Sequence, residues 1–84
     1  MAPTILRLPA VIGRSGLARS TVYKAIAEGV WTRPIKISRR SVGWPSPEVA
    51  AIIGARIAGK TDNEIRALVV ALEASRHDAG VAAA

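Results

Sequence analysis

The sequence predicts a mainly α-helical fold carrying one small β-hairpin, and three observations lead to it. Apolar residues recur at helical spacing in four separate stretches, each bounded by glycine or proline. One stretch, Ile35 to Trp44, instead alternates apolar and polar residues about a polar centre, the pattern of two short strands and a turn. The chain of 84 residues has room for one core, burying only about 60–65% of the surface an unfolded chain exposes.

Taken in order, Pro9 suits a first helical position, and Ala10, Val11 and Ile12 follow before Gly13 and Gly16 end the segment. A second helix spans Arg19 to Glu28 and stops at Gly29, with Val22, Ala25 and Ile26 on one face. The connection Arg14-Ser15-Gly16-Leu17-Ala18 makes the pair a helix-turn-helix. Pro34 biases Arg33 towards extended backbone, and the strand Ile35-Lys36-Ile37 leads into the polar turn Ser38-Arg39-Arg40-Ser41. Val42-Gly43-Trp44 returns, and Pro45 closes it. Such a hairpin must lean on the helices through Ile35, Ile37, Val42 or Trp44.

A third helix starts with Ser46 as N-cap, Pro47 at N1 and Glu48 in the first turn. Its stripe is Val49, Ile52, Ile53 and Ile57, and Gly59 ends it. A fourth opens on the capping box Thr61-Asp62-Asn63-Glu64 and carries Ile65, Leu68, Val69 and Leu72. That stripe packs on the chain's own core or serves as a self-association surface. The whole reads as a single domain, 1–84: a winged helix-turn-helix at 8–45 followed by two further helices at 46–59 and 61–76, with a frayed tail at 77–84.

Composition narrows the function. The absence of cysteine excludes disulfides and thiolate metal sites, and the single His77 cannot hold a metal alone. No cofactor motif, signal peptide or membrane span is present, which points to a cytoplasmic protein. Serines lack a histidine partner nearby, so no catalytic constellation is expected. Residues 1–45 hold eight basic side chains against one acid, and 46–84 hold four against five, net +7 and −1. That lopsided field suits a polyanion.

The candidate site has two parts. Arg19, Ser20, Thr21 and Lys24 near the start of the second helix are types that reach base edges and phosphates, and the Tyr23 hydroxyl can reach a phosphate. Lys36, Ser38, Arg39, Arg40 and Ser41 make a basic ribbon tip suited to phosphates or a minor groove, with Arg33 on its approach. Edge protection alone does not need two adjacent arginines. Trp31 and Trp44 read as core anchors rather than stacking platforms.

The order Leu6-Arg7-Leu8-Pro9, Ser15 to Tyr23, Glu28-Gly29, Pro34 to Ile37, Arg40 to Trp44 and Glu48-Val49 resembles the AlpA-like family of prophage regulators. These are small relatives of MerR-type winged-helix domains and of excisionases. The resemblance covers about Leu6 to Ile57. It implies a second helix in the major groove and a wing on the backbone or minor groove, through Arg19, Ser20, Thr21, Tyr23, Lys24, Arg39 and Arg40. It also implies a transcriptional regulator of phage genes, or a directionality factor assisting an integrase in excision. Ala18 stands where the family usually has serine, and Ser20 could cap in its place.

Sequence-specific binding of double-stranded DNA is therefore the expected activity. One module buries roughly 600–1,000 Å² on DNA, so several copies on repeated sites, or a partner such as an integrase or RNA polymerase, would share the work. The rival is a protein–protein adaptor, antitoxin-like, using the basic face on an acidic partner.

Overall fold

Four helices and a three-stranded antiparallel sheet close around two tryptophans. A computed structural model describes residues 4–83, with side chains described as far as Arg76. The elements are β1 (Ile5–Leu6), α1 (Leu8–Ser15), α2 (Arg19–Ala27), β2 (Ile35–Ser38), β3 (Ser41–Pro45), α3 (Ser46–Ile57) and α4 (Asp62–Ala83). Trp31 and Trp44 are fully buried, with Val11, Val22, Val49 and Ile52 around them. The Trp44 indole donates to the Thr32 carbonyl at 2.8 Å, so its polar edge is satisfied inside the core. Both tryptophans are the anchors their flanks implied.

In α1, Gly13 lies within the helix instead of ending it. Termination waits for Gly16, whose φ of 72° lets its amide reach the Ile12 carbonyl. The second helix buries Val22 and Ala25, and Gly29, at φ 79°, turns the chain away.

The sheet order is β1-β3-β2. The strand β1 was not expected: it pairs Ile5 with Pro45 and Leu6 with Trp44. In the hairpin, Ile35 faces Gly43, Lys36 faces Val42 and Ser38 faces Ser41, so the register slips by one residue at Ile37. Neither Arg39 nor Arg40 takes a positive φ, which rules out the turns whose twist matches a two-residue hairpin. The bulge at Ile37 absorbs that mismatch. Of the residues expected to seat the wing, Trp44 does so fully, while Ile37 and Val42 stay largely exposed.

Gly43 sits under both edge strands. A Cβ there would lie 2.6 Å from Ile5 Cγ2, 2.8 Å from Ile37 Cδ1 and 2.8 Å from the Leu6 carbonyl oxygen. Backbone cannot yield as a side-chain tip can. Gly43→Ala is expected to cost about 1–3 kcal/mol, read from denaturant midpoints. An unchanged midpoint would show that β1 separates freely from β3.

The strand β3 passes into α3 with no intervening loop. Pro45, not Ser46, is the N-cap residue of α3 and makes no side-chain cap bond. Ser46 instead accepts the Thr4 amide on its Oγ at 3.0 Å and donates its own amide to the Thr4 carbonyl at 2.7 Å. It is drawn into the β1–β3 ladder, which satisfies more groups than a cap. Val49 and Ile52 are buried, but Ile57 is 82% exposed: the apolar period outlasts the surface it packs on.

The capping box of α4 forms as expected, with the Thr61 amide on Glu64 Oε1 (3.0 Å) and the Glu64 amide on Thr61 Oγ1 (3.2 Å). Ile65 and Val69 are buried in the core, and Leu68 and Leu72 pack against it. The stripe thus packs on the core of its own chain, with Leu68 and Leu72 still part-exposed. The helical backbone runs to Ala83, past the end expected at Arg76. Alanines at 79, 82 and 83 supply the helix propensity that an apolar period would not show. Side chains from His77 onward lie outside the described residues, as does Ala84, and the expected fraying falls there.

Candidate nucleic-acid interface

The outward face of α2 is set by what its inward face buries. With Val22 and Ala25 inside, Arg19, Ser20, Thr21, Tyr23 and Lys24 all stand exposed, Tyr23 by 44%. The helix begins at Arg19, and Ala18 occupies the N-cap without a side-chain bond. Ser20 does not take over, because the first helical bond, from the Val22 amide to the Ala18 carbonyl at 3.0 Å, already starts the helix at Arg19. Ser15 Oγ accepts the Leu17 amide at 3.2 Å in the turn before it.

At the wing, Lys36, Ser38, Arg39 and Arg40 are exposed and Ser41 is half-buried. The pairing of β1 with β3 brings in Arg7, whose guanidinium donates to Ser41 Oγ at 3.4 Å. Sequence reasoning counted Arg7 as charge but did not place it at the wing. The signal was a strand of only two residues. Among the described residues, Arg7, Arg19, Lys24, Lys36, Arg39 and Arg40 form no salt bridge. Exposed cations left without an acidic partner raise the positive potential around α2 and around the wing.

Arg33 is placed differently. Its guanidinium pairs with Glu73 at 3.2 Å, and its amide donates to the other Glu73 oxygen at 2.8 Å. The connector cation therefore faces α4, apart from the free cations of the wing. Burial pushes the Glu73 carboxyl up, but the hydrogen bonds from Arg33 and the charges of Arg33 and Arg76 outweigh it and hold the group below its ordinary 4.5. A depressed carboxyl stabilises the fold fully above its unfolded value and loses that contribution as pH falls through the folded value. Thermal stability should thus drop below about pH 4.5, and Glu73→Gln should flatten the drop. Parallel melting curves for the two proteins would exclude Glu73 as a source.

No metal-binding group of three or more His, Cys, Asp or Glu occurs among the described residues. No described helix is long and apolar enough to cross a membrane.

Two short helices joined by a tight turn, a β-hairpin and a supporting sheet make this a mainly α protein of winged helix-turn-helix type. Residues 4–57 match the family described as Prophage CP4-57 regulatory protein (AlpA), and the chain belongs to that family of phage regulatory proteins. A protein of Enterobacteria phage P4, described as uncharacterized protein ORF88, is 38% identical over 55 residues, covering 66% of this chain and 62% of the relative. The match spans less than two thirds of that relative's length. No solved structure matches significantly.

Proposed function

We propose that the chain binds double-stranded DNA sequence-specifically, as a phage-type transcriptional regulator, without a chemical step. The observation that carries this is the joint exposure of Arg19, Lys24, Lys36, Arg39 and Arg40 on α2 and the wing, with no described acid paired to them. The first turn of α2 supplies hydroxyls and an arginine for base edges, and the ribbon supplies cations for phosphates. Ser38 and Ser41 at the tip are of the right type to donate to phosphate oxygens.

Titrating the protein with duplex DNA at several salt concentrations tests the reading. Five phosphate contacts predict a slope of log affinity against log salt of about −4 to −5. Salt-independent or absent binding would favour the adaptor role on an acidic protein. Genome-wide footprinting then separates the finer alternatives: sites at promoters support the regulator, while clustered sites beside an attachment sequence assign an excision directionality factor working with an integrase.

A further inference from the structure

Three side chains of α4 converge on segment 28–33, which joins α2 to the wing. Arg66 Nε donates to the Glu28 carbonyl at 2.9 Å, and its Nη1 is steadied by Asn63 Oδ1 at 2.9 Å. Glu28 is the C-cap of α2, so this bond holds the end of that helix. At the other end of the segment, Glu73 accepts both the Arg33 amide and its guanidinium, while Arg76 donates to the Arg33 carbonyl. Both backbone polar groups of Arg33 are thereby fixed by α4. Arg76 is itself anchored on Glu48 of α3 by two bonds of 2.7 Å. Residues 66, 73 and 76 recur near helical spacing, so one face of α4 makes all these contacts. From the core side, Trp31 is buried and the Thr32 carbonyl holds the Trp44 indole.

We propose that α4 is a brace that sets the spacing of wing and α2, making Arg66 and Glu73 positioning residues for DNA recognition. Both stand outside residues 4–57, which carry the family match. The role rests on the DNA-binding reading. A reader with two elements gains affinity for its own site when both engage at once, and pre-set geometry removes the cost of ordering them on contact. Loosening the brace leaves each element able to touch phosphates separately, so non-specific binding survives while the cognate advantage falls.

The chain has no cysteine, so spin labels at Ala18→Cys, exposed at the start of α2, and at Val42→Cys on the wing report the distance between the two elements. In this labelled chain, Glu73→Ala and Arg66→Ala are expected to broaden the distance distribution. Affinity for a duplex selected from random sequence should fall on the order of tenfold, with affinity for an unrelated duplex unchanged. Lys60→Ala, which removes an ion pair with Glu64 away from segment 28–33, should alter neither readout. Should Glu73→Ala fail to fold, Arg66→Ala, which releases only the Glu28 end of the segment, carries the test alone. Narrow distributions with an unchanged affinity ratio in both variants overturn the brace while DNA binding stands. A parent chain that binds no duplex overturns the DNA reading and the brace's recognition role together.

Discussion

Replacing Arg39 and Arg40 together with alanine is expected to weaken binding to the cognate duplex by about tenfold to a hundredfold at moderate salt, and to shallow the salt slope by about 2. Each arginine that neutralises a phosphate releases condensed counterions, so its loss appears both in affinity and in salt sensitivity. The two residues form the tip of the hairpin, exposed and without a described salt-bridge partner, so folding should not change. A melting curve that matches the parent's, with affinity reduced, locates the effect at the interface. Unchanged affinity with an unchanged slope would remove the wing from the DNA surface.

The largest expected effect on stability comes from Arg76→Ala. Glu48 is only 5% exposed, and both of its carboxylate oxygens are held by Arg76 at 2.7 Å. Hydrogen bonding to Glu48 is also what raises the arginine's own proton affinity, against the burial that lowers it. Removing the guanidinium strands a carboxylate in the interior and leaves the Arg33 carbonyl without its α4 donor. The cost should be about 3 kcal/mol, at the low end for a buried pair because Arg76 keeps some contact with water. For a domain of this size that corresponds to a melting point lower by about 12–20 °C. Replacing both partners with apolar residues, Glu48→Met and Arg76→Leu, should recover most of the loss, since no charge then remains stranded. An equal loss in the double variant would show that geometry, not desolvation, sets the cost.

What could be read from the sequence was what neighbours along the chain determine. The capping box at Thr61 and Glu64 and the inward stripes of α2 and α4 all depend on residues within a few turns of one another. So did the hairpin with its arginine tip. The strand β1 escaped because two residues carry no period, and pairing with Pro45 depends on a partner far along the chain. The same pairing withdrew Ser46 from its expected cap. Arg33 was grouped with the free cations because Glu73, its partner, lies 40 positions away. The Glu48–Arg76 pair was invisible for the same reason: a glutamate in a first turn looks like a helix-end charge, and only packing reveals that it is buried. Ile57 shows the opposite failure, an apolar residue in good register with no surface left to meet.

The uninterrupted passage of β3 into α3 has a consequence for the entropy of binding. A hairpin wing on flexible joints would sample many orientations and surrender that freedom on each encounter with a ligand. Here the returning strand is flanked by β1 on one side and β2 on the other, and its last residue occupies the N-cap position of the next helix. The ordering of the wing's root is completed when the chain folds. On the proposed DNA-binding reading, association gives up little conformational freedom beyond the rotamers of the tip arginines, and a short ribbon can contribute affinity out of proportion to its area.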